Sequence, residues 1–233
     1  MTATSIPSDN SQITVERIPM TSSLIVACLD AVHSSIIANE SNIESLDRAI
    51  GDGDHYINVR RGCQALLTIR EDLMKVPPAE ALNALGIKLL STIGGASGPL
   101  ISSFFIAMGK CLRGKAEFDR ADIAHAFAAG VDSIKHRGKA DAGEKTMLDV
   151  LVPVSRMLAE LSSTNLPLGE LCRQINEEAT RSMLATRDLI ATKGRAYSLG
   201  ERALGHIDPG SKTCEVIIAA VTAAILSSPS RSQ

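Results

Sequence analysis

Residues 46–62 read LDRAIGDGDHYINVRRG and join two stretches of helical pattern through a glycine-rich turn. Apolar residues recur at helical spacing on both sides of this turn. Within it, Asp47, Asp52 and Asp54 fall close together, with glycines between them. A tight turn needs at most one such residue, so the crowding of three like charges requires a separate explanation.

Helical periodicity continues along the rest of the chain, interrupted by glycine and proline rather than by strand-like alternation. Aromatic residues make up only 3% of the sequence and Trp is absent, so the aromatic and β-branched runs typical of strands are scarce. The pattern over 168–194 predicts one long helix. Counting these stretches gives about eight or nine amphipathic helices, so we predict an all-α fold, a bundle or helical barrel with mostly short connections.

The domain organisation is simple. A chain of 233 residues with 45% hydrophobic content is long enough to bury one large core. We predict a flexible N-terminal arm at 1–20, a helical domain at 21–228 and a C-terminal tail at 229–233.

Charge and cysteine content exclude several function classes. The formal charge of -2 lacks the basic surplus of proteins that bind nucleic acid or anionic membranes. The five cysteines are odd in number and contain no CxxC pair, so neither a disulfide framework nor a zinc site is indicated. The most apolar stretch, 216–226, is too short to span a bilayer. We expect a cytoplasmic protein that binds no nucleic acid and no membrane.

Three carboxylates in one turn repel each other unless a cation neutralises them. Mg²⁺ prefers carboxylate and water oxygens and keeps positions free for substrate phosphates. The spacing does not fit a calcium-binding EF-hand loop. From these residues alone a second interpretation stays open, in which Asp47 lies on a helix surface and GDGD is an ordinary solvated turn.

Three further glycine-rich joints occur at 94–99 (GGASGP), 138–146 (GKADAGEKT) and 205–213 (GHIDPGSKT). The last two are not Walker A loops, because Lys does not directly follow the second glycine. Each places Lys and Thr at the start of a helix, where backbone N–H groups can bind an anion, although such joints are also common without a ligand. Together with the acidic turn they suggest a nucleotide.

In this order, the motifs LDxxIGDGDH with Asn58, GGASGPL, GxKTMLDxLxP and GRAxxLGERxxGHIDPG resemble the nucleotide-binding L subunit (DhaL) of dihydroxyacetone kinase. The resemblance covers about residues 22–227. It implies a barrel of eight antiparallel helices that binds ADP or ATP and two Mg²⁺ ions at one end. It places the metal ligands at Asp47, Asp52 and Asp54.

The resemblance also implies a set of nucleotide contacts, one group for each motif. Arg195 is in addition the candidate catalytic residue, because a guanidinium can stabilise the charge of a transferring phosphoryl group. On periodicity alone, Met147 would be a core residue and His55 a structural imidazole. The implied contacts are His55, Tyr56, Ile57, Asn58, Ala96, Ser97, Gly138, Met147, Arg195, Asp208, Pro209 and Gly210.

The sequence departs from the family pattern at two places. Tyr56 replaces the usual glycine after the DGDH histidine, and Tyr197-Ser198 replaces the usual Ser-Tyr after GRA. The bulk of Tyr56 predicts a more restricted backbone beside the phosphates, and therefore an altered nucleotide affinity or acceptor.

The resemblance implies half of an enzyme, a phosphotransferase that is active only with a K subunit holding the ketose. The phosphoryl donor is either exchangeable ATP or a resident ADP recharged by a phosphotransferase-system protein, and a homodimer is left open. Three alternatives remain: a kinase subunit for another short polyol such as a four-carbon ketose, a nucleotide-dependent regulatory module without turnover, and a purely structural helical bundle.

Overall fold

The computed structural model describes residues 20–228, which contain ten α-helices and two 3-10 segments and no β-strand. The predicted tail and all but the last residue of the predicted arm lie outside the described residues. The 3-10 segments are Thr186–Asp188 and Arg195–Ala203. The helices are α1 Ser22–Ala38, α2 Glu40–Ile50, α3 His55–Leu67, α4 Arg70–Leu73, α5 Pro78–Leu90, α6 Ser97–Leu112, α7 Arg120–Gly138, α8 Leu148–Ser162, α9 Leu168–Ala185 and α10 Pro209–Ser227.

Eight of these helices close a ring. Each helix from α5 to α10 packs against the next, α10 returns to α1, and α3 contacts both α1 and α5. The connections from α5 to α9 are short, so these neighbouring helices run antiparallel and the starts of α6 and α8 share one end of the barrel. Hydrogen bonds from Ser211 to Thr146 and between His55 and Thr213 bring the starts of α10 and α3 to the same end. The predicted all-α fold is confirmed.

Two groups of buried side chains hold the ring together. The main core consists of aliphatic residues between the ring helices, among them Leu112, Ile134 and Val150. A smaller cluster joins α1, α2, α3 and α10 and contains Ile36, Ile43, Tyr56, Cys63 and Val216. This cluster fixes the start of α3 against α10.

Helices α5 and α6 approach each other closely because glycines line their contact. The Ser102 hydroxyl donates to the Gly86 carbonyl oxygen at 2.7 Å. A Cβ atom on Gly109 would lie only 2.5 Å from the Ala79 carbonyl oxygen. A side chain at position 109 would therefore push the two helices apart.

The prediction of one helix over 168–194 is wrong. Helix α9 ends at Ala185, the 3-10 turn Thr186–Asp188 follows, and Gly194 has a φ of 70°. The carbonyl oxygens of Thr186 and Leu189 accept hydrogen bonds from the Lys145 ammonium, which comes from the connection between α7 and α8. A tertiary contact thus replaces the helical hydrogen bonds that the local sequence favours.

Helix α10 is longer than the apolar stretch 216–226 on which the membrane prediction was based. By length and composition alone it could cross a membrane. It contacts α1, α2, α8 and α9, and buries the polar side chains of Ser211, Thr213 and Thr222. These contacts are those of a helix packed within the barrel.

All five cysteines are free thiols, as the sequence predicts. Cys63, Cys172 and Cys214 are buried. Burial raises the pKa of Cys63 to about 11 and that of Cys214 to about 12, so these thiols are poor nucleophiles at neutral pH.

Replacement of Gly109 by Ala should destabilise the protein by about 1–3 kcal/mol, because the new methyl group overlaps the α5 backbone. Urea denaturation measures this free energy of unfolding. Gly169→Ala is the matched control, since a Cβ there meets nothing within 4 Å and α9 should gain helix propensity. Equal stability of both variants would contradict the close approach of α5 and α6.

Candidate functional site

The acidic turn, residues 47–54, is shaped by a buried carboxylate. Asp47 lies in the last turn of α2 and is 3% exposed. Its Oδ2 accepts a hydrogen bond from the backbone N–H of His55, the first residue of α3, at 3.0 Å. A Cβ on Gly51 would lie 1.8 Å from Asp47 Oδ1. Asp47 therefore caps α3 from the preceding helix, and it can do so only because position 51 is glycine.

The other two carboxylates of the acidic turn face outward. Asp52 Oδ2 forms an ion pair at 2.9 Å with Nη1 of Arg195, which begins the second 3-10 segment. Both partners are exposed, so this pair adds little stability. Asp54 is exposed and its side chain makes no capping bond to α3. The structure thus brings the predicted catalytic arginine to the predicted metal aspartates.

Within residues 20–228, no three or more His, Cys, Asp or Glu side chains are grouped as a set of metal ligands. The Asp47 carboxylate is engaged by His55, and the Asp52 carboxylate by Arg195. The donors still suit Mg²⁺, because they are carboxylate oxygens on one short turn, two of them exposed, and a cationic side chain already lies beside them. The assignment of these aspartates to a metal stays a prediction.

His55 links the acidic turn to the start of α10. Its Nε2 lies 2.8 Å from Thr213 Oγ1, and that hydroxyl is 2.9 Å from the Pro209 carbonyl oxygen. Because the Thr213 hydroxyl donates to Pro209, we assign the proton of the first bond to His55 Nε2. Burial lowers the pKa of His55, although the nearby Asp47 and Asp54 carboxylates oppose this shift. The imidazole is therefore neutral at pH 7.

Tyr56, Ile57 and Asn58, the next three predicted nucleotide contacts, have different surroundings. Tyr56 is 2% exposed, and its ring packs into the smaller core cluster with Ile36 and Val216. Ile57 is 53% exposed, and the Asn58 side chain accepts a hydrogen bond from Arg61. Tyr56 lies in regular α-helix, where an ordinary residue is accommodated. Its effect on nucleotide affinity stays a prediction.

The 94–99 loop presents backbone N–H groups at the start of α6. The loop turns at Gly95, with a φ of 70°, and Ala96 is exposed. Helix α6 begins at Ser97 without a side-chain cap. At Gly98 a Cβ would lie 2.1 Å from the Ile93 carbonyl oxygen, so the loop requires glycine there. These first N–H groups of α6 are suited to an anion.

The starts of α8 and α10 lie side by side. The Ser211 hydroxyl donates to the Thr146 carbonyl oxygen at 2.7 Å, and a Cβ on Gly210 would lie 3.7 Å from the Met147 Cβ. Asp208 caps α10 by accepting from the Ser211 N–H at 2.6 Å. Burial raises the pKa of Asp208 to about 6.

Gly138 and Pro209 complete the predicted set. At Gly138, the last residue of α7, a Cβ would lie 3.4 Å from Leu100 of α6. Pro209 is buried at the start of α10. The structure therefore brings the acidic turn, the starts of α3, α6, α8 and α10 and the end of α7 to one end of the barrel.

Residues 49–223 match the DAK2 domain. This chain belongs to the DAK2-domain family. It is 38% identical over 173 residues to the ADP-binding subunit DhaL of PEP-dependent dihydroxyacetone kinase 2 from Listeria innocua, covering 73% of this chain and 80% of that protein. It is 36% identical over 185 residues to the ADP-binding subunit DhaL of the PTS-dependent dihydroxyacetone kinase from Lactococcus lactis, covering 79% and 88%. These relatives are subunits of kinases, which are phosphotransferases.

A solved structure shows the same fold. The dihydroxyacetone kinase of C. freundii, in complex with AMP-PNP and Mg²⁺, superposes with a TM-score of 0.68 at 23% sequence identity. The match covers 96% of this chain but only 38% of that one. At this identity the likeness supports the fold alone.

Two lysines of this DAK2 domain do not occupy the anion-binding positions that their motifs suggested. The Lys145 ammonium turns inward to backbone carbonyl oxygens, and Lys212 pairs with Glu215 at 2.7 Å. The repeated Lys-Thr pair led to the prediction of an anion site at each helix start. The sequence pattern does not show that Lys145 has a φ of 60° and that its side chain turns inward. Thr213 forms a hydrogen bond with His55, and Asp149 accepts one from the N–H of Thr146. No motif in the sequence predicted either of these roles.

The Asp208→Asn variant should change how stability depends on pH. The folded pKa of Asp208, about 6, lies above the ordinary Asp value of 3.8, so between these two values the folded protein binds more protons than the unfolded chain. Wild-type stability is therefore lost as pH rises from 4 to 6. Relative to wild type, the variant should gain up to about 3 kcal/mol across this window.

Urea denaturation of the Asp208→Asn variant and wild type at pH 4, 5 and 6 measures this difference. Asp188→Asn removes the same charge from an exposed position and is the control. A constant difference between Asp208→Asn and wild type over this range would contradict the burial of a charged Asp208.

Proposed function

We propose that this chain binds a magnesium–adenine nucleotide complex at the acidic-turn end of the barrel, as the nucleotide-binding subunit of a dihydroxyacetone-type kinase. The observation that carries the proposal is the contact between Arg195 and Asp52. This contact places a guanidinium, a group that binds phosphate well, beside a turn whose carboxylates suit Mg²⁺. The relatives described as ADP-binding subunits support the same choice of ligand.

The start of α6 can receive the nucleotide phosphates. Its first N–H groups have no side-chain cap, whereas the Asp208 carboxylate already caps α10. These N–H groups and the helix dipole favour negative charge. In the proposal, Ala96 and Ser97 bind phosphate through the start of α6. Gly138 and Met147 surround the nucleoside, and residues 208–210 lie beside Met147.

The acidic turn would hold the metal in the proposed site. Asp47 is fixed by the His55 N–H, while Asp52 and Asp54 are exposed and have room to reorient. These carboxylates would hold Mg²⁺, which when bound would supply positive charge against the nucleotide phosphates. Two ions would suit three carboxylates and a polyphosphate.

The proposed chemistry requires little bond-making by the protein. Arg195 is exposed on the second 3-10 segment, where its guanidinium can stabilise the charge of the transferring phosphoryl group. The start of α6 orients the phosphates for in-line transfer. The neutral His55 positions the acidic turn against α10 rather than transferring a proton.

The acceptor in this proposal is a short ketose held by a separate K subunit. The relatives are described as subunits of kinases, which supports a partner for this chain. The proposal holds for either donor, an exchangeable ATP or an ADP recharged by a phosphotransferase-system protein.

Asp52→Asn and Asp54→Asn should each weaken the binding of ADP in the presence of Mg²⁺ by about tenfold or more, because each removes a metal ligand. Isothermal titration calorimetry of the full chain measures the affinity. Asp132→Asn on the exposed face of α7 is the control. The metal site is refuted if both variants bind ADP as tightly as wild type.

Arg195→Ala should lower kcat about 100-fold or more, because the guanidinium no longer stabilises charge in the transition state. The measurement is phosphorylation of dihydroxyacetone by the complex with the K subunit. Arg202→Ala, in the same exposed 3-10 segment, should leave kcat unchanged. An Arg195→Ala enzyme with normal kcat would exclude this residue from catalysis.

A further inference from the structure

Lys145 is a buried cation outside the set of proposed nucleotide contacts. It lies in the connection between α7 and α8 and is 1% exposed. Its ammonium donates to three backbone carbonyl oxygens: Thr186 at 2.6 Å, His206 at 2.7 Å and Leu189 at 3.2 Å. An ammonium has three N–H donors, so every donor is used. None of the three acceptors is a carboxylate.

The local backbone directs Lys145 inward. Its φ of 60° is left-handed, a conformation that is strained for a residue with a side chain. The buried Asp149 carboxylate accepts from the N–H groups of Gly143 and Thr146, which brackets Lys145. Burial lowers the pKa of Lys145, while the charges of Asp208, Asp149 and Asp188 oppose this shift. These carboxylates thus offset part of the cost of burying the positive charge.

The three acceptors lie on segments that lack long helices. Thr186 and Leu189 precede the stretch that leads to Arg195, and His206 lies two residues before Asp208. Lys145 itself lies two residues before Met147. Because residues 189–194 and 204–208 have no helical ladder of their own, contacts to neighbouring segments decide where they lie.

Other bonds tie the same segments together more weakly. The Gly205 N–H donates to the Arg187 carbonyl oxygen at 2.9 Å, and the Asp208 N–H donates to Thr186 Oγ1 at 3.0 Å. Both are neutral hydrogen bonds, whereas the bonds of Lys145 carry a charge and are stronger. The Lys145 ammonium donates hydrogen bonds both to the 186–189 turn and to His206.

We propose that Lys145 is a positioning residue for the nucleotide site: its buried ammonium sets the relative placement of the segments that carry Met147, Arg195 and Asp208, and thereby the nucleotide affinity, without contacting the nucleotide. This inference rests on the proposed function. A purely structural lysine would lower the stability of the fold but leave the affinity of the folded protein unchanged.

The chain offers a matched control at the opposite end of the barrel. Arg120, the first residue of α7, is 2% exposed, and its Nη1 donates to the Leu166 carbonyl oxygen at 2.6 Å. Like Lys145, it is a buried cation bonded to the backbone of a loop. It lies far along α7 from Gly138, which is at the site end.

The test compares Lys145→Met and Arg120→Met in the full chain. Both should unfold at lower urea concentration, because each loses a buried charged hydrogen-bond donor. Below that transition, calorimetry with Mg²⁺ and ADP should show affinity weakened by about tenfold or more in Lys145→Met and by less than about twofold in Arg120→Met. Equal affinities for Lys145→Met and wild type, or equal losses in both variants, would overturn the proposal.

Hydrogen exchange gives a second readout that separates local from global effects. Global destabilisation speeds exchange in the ring helices of both variants, but in Lys145→Met the amides of residues 186–195 and 204–210 should in addition exchange faster than they do in Arg120→Met. Faster exchange spread over the whole barrel without this local excess would mean that Lys145 is structural only.

Lys145→Gln decides the matter if Lys145→Met does not fold. This variant keeps an N–H donor in place of the ammonium but removes the positive charge. It should weaken ADP affinity several-fold, and unchanged affinity would count against the positioning role. If wild type itself binds no ADP, the proposed function fails, whereas the exchange pattern of the folded variant still tests whether Lys145 places these segments.

Discussion

The site depends first on one buried hydrogen bond, from the N–H of His55 to the carboxylate of Asp47. The bond caps α3 from the end of α2, and the carboxylate occupies the space that any side chain at position 51 would need. It therefore sets the path of the chain from Asp52 to Asp54. His55 extends this order to Thr213, so the acidic turn and the start of α10 are placed together.

Buried bonds, rather than the surface ion pair, hold this end of the barrel in shape. The Arg195–Asp52 pair is exposed and contributes little stability. The bonds of Lys145, Asp149 and Asp208 are shielded from water, so breaking them leaves unsatisfied polar groups. The buried groups therefore form a fixed base, above which the exposed charged groups face solvent.

Membership of the DAK2-domain family and the superposition with the C. freundii kinase agree on the architecture, but a fold alone does not determine function. The chain differs from the usual family motif at Tyr56. Its ring fills the small cluster between α1, α2, α3 and α10 instead of facing the acidic turn. Tyr56 therefore belongs to the packing that orients α3, with its hydroxyl group buried and without a hydrogen-bond partner among the described residues.

The amino-acid sequence by itself determined the helical class, most helix positions and the acidic turn, because periodicity and local spacing record which residues are buried and which lie close along the chain. Only the tertiary structure decided that the helix predicted over 168–194 stops at Ala185, that Lys145 turns inward and that Tyr56 is a core residue. The physical reason is that the partners of Lys145 are backbone carbonyl oxygens. Every residue has one, so no sequence pattern marks which of them a distant ammonium will bind.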